Sequence, residues 1–108
     1  MDQQVAPAEL EEVLLRHEAV QEAVVVGVPH GEFGEAARAY LLLAQGRQDS
    51  ATIEVQLRQL LAGQLAYHKQ LHGGVEFLAS IPQTATGKNL RRLLRDSYVQ
   101  SRAHEGTT

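Results

Sequence analysis

Residues 19–44 read AVQEAVVVGVPHGEFGEAARAYLLLA, and this stretch decides the fold that the sequence predicts. Its first part, Ala19–Val28, is rich in β-branched residues and predicts a buried strand that closes at Pro29. The glycine-containing segment His30–Gly34 predicts a turn, and the apolar run Arg38–Ala44 predicts a second strand. The sequence therefore predicts a fold that contains a β-sheet.

Helical patterns lie on both sides of these strands. Pro7–His17 has a proline suited to the first helical position, acidic residues early on, and apolar residues at helical spacing. An Ile and Leu stripe predicts a second helix that reaches Ala66, with Asp49 or Ser50 as its N-cap. Asn89–Arg102 is predicted to form the last helix.

A third strand and a loop complete the predicted order. The segment His72–Gly74 breaks the chain, Val75–Ile81 predicts a strand, and Pro82–Gly87 predicts a loop. The order is helix, strand, strand, helix, strand, helix, which is an α+β fold with a small three-stranded sheet packed with helices. With 108 residues and no repeat or linker, residues 1–108 are predicted to form a single domain.

Composition excludes several classes of protein. The chain has 44% hydrophobic residues, a net charge of −3 and no cysteine, so disulfides, thiolate metal sites and cysteine nucleophiles are excluded. No apolar run approaches the roughly 18 residues of a membrane-spanning helix, and we expect no secretory signal after the polar start Met1–Gln4. Residues 88–108 are net basic in an otherwise acidic chain. A general nucleic-acid binder is not expected, but a local anionic partner remains open.

The most informative stretch for function is residues 81–92, IPQTATGKNLRR. Gly87 allows an unusual backbone shape between a strand and a helix, and Lys88 is a mobile charge suited to a phosphate. The stretch is not a P-loop, because that pattern needs Gly in place of Pro82 and Ser or Thr in place of Asn89. The residues alone leave two interpretations of Lys88 open, a phosphate-facing lysine and an ordinary exposed loop lysine.

The last predicted helix has an apolar and a basic face. At about 100° per residue, the apolar stripe that we assign to the core consists of Leu90, Leu93, Leu94 and Ser97/Tyr98. The basic stripe lies nearly opposite and consists of Lys88, Arg91, Arg92 and Arg95. A charged stripe is usually a solvated face, and an interdomain contact, an anionic ligand or nucleic acid are the functional alternatives.

Histidine and carboxylate patterns predict no second site. The spacing of His68 and His72 would put two imidazoles on one helix face, but the glycines that follow predict a helix end there. We therefore predict solvent-exposed histidines and no metal site. Glu9 and Glu12 could form a catalytic carboxylate pair, although acidic residues near a helix start explain them better.

Three motifs in order resemble the C-terminal domain of the adenylate-forming superfamily, which includes acyl-CoA synthetases, 4-coumarate-CoA ligases, beetle luciferases and non-ribosomal peptide adenylation domains. The motifs are QVAPAELE at 4–11, VGVP at 26–29 with Gly34-Glu35 following, and PQTATGK at 82–88 with Arg91 or Arg92. TGKNLRR is similar to the acyl-CoA synthetase and luciferase branch, and KQLHGGV at 69–75 to the luciferase and coumarate-ligase group. Asn89 and His30 depart from the family pattern, which usually has an aliphatic residue and Asp at those positions.

The resemblance implies a two-step ligation. A carboxylic acid substrate attacks the α-phosphate of MgATP, and CoA thiol then displaces AMP; in luciferase-like members oxygen attacks the adenylate instead. The resemblance makes Lys88 the catalytic lysine and makes Gln4, Thr86 and Gly87 the cofactor-binding candidates. ATP, Mg²⁺ and CoA are expected to be bound mainly by a separate N-terminal domain, the implied partner of this chain.

The resemblance also implies a mobile lid that rotates about a hinge between the two steps. Met1–Gln3 would begin just after that hinge, so we expect an excised or truncated domain that is inactive alone. We expect an intracellular protein, with cytoplasm and peroxisome both open, since Glu105–Thr108 is not a peroxisomal Ser-Lys-Leu signal. The alternative function is a stand-alone binding module that uses the basic last helix for an anionic partner.

Overall fold

A computed structural model describes residues 6–81 and 87–105 of the chain. The predicted α+β fold and its order of elements are confirmed. The elements are α1 (Pro7–Leu14), β1 (Val20–His30), β2 (Gly34–Leu43), α2 (Ser50–Gln64), a 3-10 helix (Tyr67–Lys69), β3 (Val75–Phe77) and α3 (Gly87–Glu105). None of the described helices is long and apolar enough to cross a membrane.

The strand β2 lies in the centre of the sheet. It pairs antiparallel with β1, from Val20 opposite Leu43 to His30 opposite Gly34. It also forms a short parallel ladder with β3, in which Val75 is the first residue. The strand β1 is therefore an edge strand.

Both faces of the sheet are covered by helices. On one face α1 and α2 pack around a core whose fully buried large residues include Leu10, Leu14, Leu41, Ile53, Leu57 and Leu61. On the other face Leu94 and Tyr98 of α3 pack against Val26, Val28 and Tyr40. Because successive side chains of a strand point to opposite faces, the valine run of β1 supplies both cores.

The prediction that the first strand closes at Pro29 was wrong. The backbone N–H of Val25 donates to Glu11 Oε2 at 2.9 Å, so this N–H points away from β2. Pro29 lies four residues further along the same regular ladder, and its nitrogen therefore also faces the open edge. A proline that lacks an N–H removes no hydrogen bond from the sheet at this position.

Two strand boundaries also differ from the prediction. β2 begins at Gly34 instead of Arg38, because the ladder with β1 extends to the tight turn at residues 31–33. β3 ends at Phe77 instead of Ile81, since its ladder with β2 covers only the pairs from Ala39 opposite Val75 to Leu41 opposite Phe77.

The helix α1 ends at Leu14 rather than at the predicted His17. The His17 ring instead accepts a hydrogen bond from the backbone N–H of Ala19 on Nδ1 at 3.0 Å, and its Nε2 lies 2.7 Å from Gln56 Oε1. A side chain that accepts from a nearby backbone N–H favours a turn over a helix. His17 therefore holds the connection between α1 and β1.

The helix α2 ends at Gln64 and does not reach Ala66, because the backbone of Leu65 is extended. Asp49 occupies the predicted N-cap position, but its side chain makes no capping hydrogen bond. Its carboxylate instead pairs with Arg47 at 3.3 Å, and this hydrogen bond lowers the pKa of Asp49 below its ordinary value.

The helix α3 spans Gly87–Glu105 and is longer than the predicted Asn89–Arg102. Three members of its predicted apolar stripe contact the body of the domain, namely Leu90, Leu94 and Tyr98. The assignment of Leu93 to the core was wrong, because its side chain is 54% exposed. The contacting residues repeat every four positions, which places Leu93 at the side of the contact face.

Replacing Gly63 with Ala is expected to stabilise the domain. Gly63 lies inside α2, and nothing stands within 4 Å of the position that a Cβ would occupy. Since Ala is the better helix former, the free energy of unfolding in urea should rise by about 0.5–1 kcal/mol. Gly31→Ala, in an open turn, is the control and should change it by less than about 0.5 kcal/mol. A loss of stability in Gly63→Ala would contradict the prediction.

Candidate functional site at the start of α3

The predicted site residues divide into a described and an undescribed group. Gly87 and Lys88 are the first two residues of α3. Gln4 and Thr86 lie outside the described residues. The backbone of the first turn of α3 therefore defines where Lys88 lies relative to the rest of the domain.

An ion pair between α1 and α3 lies directly after this first turn and anchors the start of α3. Arg91 Nη2 donates to Glu11 Oε1 at 2.9 Å and to Oε2 at 3.1 Å. The same Oε2 accepts the backbone N–H of Val25 at 2.9 Å. The Glu11 side chain is only 16% exposed, so water screens these contacts weakly. One carboxylate thus links α1, β1 and α3.

Two further contacts hold the next turns of α3. Arg95 Nε donates to the backbone carbonyl of Gly27 at 2.9 Å, on the same edge of β1. The Tyr40 hydroxyl donates to the backbone carbonyl of Leu94 at 3.3 Å. Together with the buried Leu90, these contacts fix α3 against β1 and β2 over successive turns.

The prediction of a solvated basic face was wrong for Arg91, which is partly buried, whereas Arg92 and Arg95 are exposed as predicted. The guanidinium groups of Arg91 and Arg95 nevertheless both contact other parts of the domain. The two arginines lie four positions apart, the helical spacing of one face. The basic stripe is therefore not a continuous free cationic surface, which weakens the alternative of a stand-alone module that binds an anionic partner through this helix.

A second polar cluster surrounds Arg38 on β2, beside a groove of about 780 Å³ between the sheet and α3. The guanidinium donates to the Tyr40 hydroxyl at 3.1 Å, to the Gly73 carbonyl at 3.0 Å and to Glu76 at 2.7 Å. It also lies 4.5 Å from the centre of the Tyr98 ring. Burial lowers the pKa of Arg38, but its hydrogen bonds to Tyr40 and Glu76 outweigh this and leave the pKa above its ordinary value. All three nitrogens are used within the domain, so Arg38 stabilises the fold.

The histidine predictions are corrected in part. His68 lies in the 3-10 helix and His72 follows it, so no common helix face carries both. Both are half-buried instead of solvent-exposed. The His72 ring packs 4.6 Å from Phe33 and 4.7 Å from Tyr67, measured between ring centres, and its Nε2 lies 2.8 Å from the Tyr67 carbonyl. Within the described residues no three His, Asp or Glu side chains could together hold a metal ion.

The two acidic residues considered as a catalytic pair belong to separate ion pairs. Glu9 contacts Lys69 at 3.1 Å, and Glu12 contacts Arg16 at 3.5 Å. His30 takes the role of a turn cap, since its Nδ1 accepts the backbone N–H of Glu32 at 3.1 Å. An aspartate at this position would accept the same hydrogen bond, so the departure from the family pattern preserves the turn.

Residues 9–88 match the model of the AMP-binding enzyme C-terminal domain. The chain belongs to this family. It is 47% identical over 94 residues to the acyl-CoA ligase lcsD of Purpureocillium lilacinum, a match that covers 86% of this chain and 24% of that protein. The AMP-binding C-terminal domain described here thus spans about a quarter of the length of this relative. The resemblance stated from the sequence motifs is confirmed.

Solved structures agree with the family assignment. The acyl-CoA synthetase of Brucella canis superposes with a TM-score of 0.77 at 35% identity, over 89% of this chain and 18% of that chain. The anthranilate CoA ligase AuaEII, solved in complex with anthranoyl-AMP, gives a TM-score of 0.75 at 32% identity, over 86% of this chain and 18% of that chain. The family's C-terminal domain fold is therefore present in this chain, as part of proteins that are much longer.

Proposed function

We propose that this chain is the mobile C-terminal domain of an ATP-dependent carboxylate–CoA ligase, and that Lys88 acts in its adenylation step. The observation that carries the proposal is the match to the AMP-binding C-terminal domain, which ends on Lys88 at the start of α3. The relatives named above are ligases and synthetases of acyl-CoA, and AuaEII was solved with an acyl adenylate.

The chemistry of adenylation explains why a lysine is needed. A carboxylate and a phosphate, both anionic, must approach each other, and negative charge spreads over the phosphoryl oxygens in the transition state. A positioned ammonium group at this point lowers the barrier electrostatically. In the proposal Lys88 supplies that group, while Gln4, Thr86 and Gly87 contact the nucleotide.

The remaining ligands belong to the rest of the ligase. The part of the chain that the structure describes holds no set of His, Asp or Glu side chains suited to Mg²⁺. In the proposal Mg²⁺, ATP, CoA and the carboxylic acid are bound mainly by the N-terminal domain, with which this chain must associate. The isolated chain is accordingly expected to form no adenylate.

A domain exchange tests the proposal. In the fusion, this chain replaces the segment that it matches in AuaEII, and the exchange of pyrophosphate into ATP is measured with anthranilate. We expect exchange by the fusion, and none by the isolated chain or by AuaEII without its own segment. AuaEII itself is the positive control. A folded fusion that binds ATP and anthranilate but forms no adenylate would contradict the proposed function.

A further inference from the structure

The Glu11–Arg91 pair differs from the other ion pairs of α1. Glu11 holds two partners at once, the guanidinium of Arg91 and the backbone N–H of Val25. Its side chain is 16% exposed, whereas Glu12 in the pair with Arg16 is 74% exposed. Exposed pairs contribute little, but a charge-assisted hydrogen bond to a mostly buried carboxylate is strong and geometrically specific.

The Glu11–Arg91 pair holds α3 near its N-terminal end. Arg91 follows Lys88 by three residues, so it lies about one helical turn along α3 from Lys88, and its backbone N–H closes the first turn. The later turns have other anchors, the hydrogen bonds from Arg95 to Gly27 and from Tyr40 to Leu94. Leu90, in the first turn, is also buried, so loss of the Glu11 contact should remove the polar anchor and loosen the start of α3 without undocking it, and should leave the remainder docked.

We propose that Glu11 and Arg91 are positioning residues that fix the first turn of α3 and thereby place Lys88 for adenylation. The inference rests on the proposed function, because it concerns the same lysine. A displacement of about 1 Å in a catalytic group can cost roughly 100-fold in rate, so a positioning contact outside the reacting atoms has a measurable effect. In the proposed function Lys88 acts only in the adenylation step, so the second step should not depend on the pair.

Hydrogen exchange, measured on the full chain, tests whether Glu11 and Arg91 fix the first turn of α3. In an α-helix the amides of Arg91 and Arg92 donate to the carbonyls of Gly87 and Lys88, so their exchange reports the first turn. Glu11→Gln should accelerate exchange at these two amides by about tenfold and leave residues 97–101 unchanged.

The matched control is Glu9→Gln on the same helix, which breaks only the pair with Lys69 and should leave the first turn of α3 unchanged. Equal acceleration along all of α3 in Glu11→Gln, or none at its start, would overturn the inference.

Rate measurements on the AuaEII fusion test whether Glu11 and Arg91 contribute to adenylation. Glu11→Gln and Arg91→Gln should each slow pyrophosphate exchange by about tenfold or more, and thioester formation from supplied anthranoyl-AMP and CoA by less than about twofold. Arg91→Lys keeps the positive charge, so its pyrophosphate exchange should be faster than that of Arg91→Gln but slower than that of the unmodified fusion.

The outcomes separate the two proposals. If Lys88→Ala leaves pyrophosphate exchange unchanged, the proposed function fails. If Lys88→Ala abolishes exchange and Glu11→Gln does not reduce it, only the positioning inference fails. An equal loss of both half-reactions in Glu11→Gln would indicate a general structural role and would also overturn the inference.

Discussion

Replacing Lys88 with Ala in the AuaEII fusion is expected to slow pyrophosphate exchange by about 10²–10³-fold, the usual loss when one preorganised group that stabilises transition-state charge is removed. The physical reason is that the Lys88 ammonium offsets the repulsion between carboxylate and phosphate oxygens, and Ala leaves that charge uncompensated. The loss should appear mainly in the maximal rate, because the contact strengthens as charge develops in the transition state.

Two controls make this expectation specific. Arg92→Ala removes a neighbouring exposed cation and should change the exchange rate by less than about twofold, because an exposed charge is largely screened. Lys88→Arg keeps a charge of different shape and should recover only part of the rate. Thioester formation from supplied anthranoyl-AMP should remain nearly unchanged in all three variants. Similar exchange rates in Lys88→Ala and the unmodified fusion would contradict the role of Lys88.

The fold class follows from local sequence because strands and helices are specified by nearby residues. The valine run of β1 predicts a strand, and the structure buries it from both sides of the sheet. Pro29 did not end this strand. A proline disrupts a sheet only where its nitrogen faces the partner strand, and the nitrogen of Pro29 faces the open edge. That orientation is set by sheet register, which periodicity within a single strand does not reveal.

The anchor of the candidate site is harder to predict. Glu11 and Arg91 are separated by 80 positions, and neither motif that contains them specifies the pair. Helical periodicity assigned Arg91 to a solvated stripe, because periodicity within one helix does not show which other element lies beside a polar face. The opposite charges of the acidic α1 and the basic α3 are the signal that could have indicated the contact.

Replacing Gly73 with Ala is expected to lower the free energy of unfolding by about 3 kcal/mol, roughly 15 °C in melting temperature. A Cβ on Gly73 would stand 2.8 Å from the Ala37 carbonyl oxygen and 2.8 Å from Val28 Cγ2. The Ala37 oxygen cannot move away easily, because it belongs to the central strand and accepts the Gly73 N–H at 2.8 Å. The segment must therefore shift, which also disturbs the hydrogen bond from Arg38 to the Gly73 carbonyl.

Neighbouring glycines provide graded controls for this variant. Gly74 has a φ of +98°, which strains any residue with a Cβ, and that Cβ would stand 2.8 Å from Arg38 Nη1, so Gly74→Ala should also destabilise the domain, by about 1–3 kcal/mol. A Cβ on Gly31 would have no atom within 4 Å, so Gly31→Ala should leave the free energy of unfolding nearly unchanged. Urea unfolding of the three variants gives the order of their free energies of unfolding. If Gly73→Ala is as stable as Gly31→Ala, residues 71–75 do not pack against β2 as closely as the distances from Gly73 to Ala37 indicate.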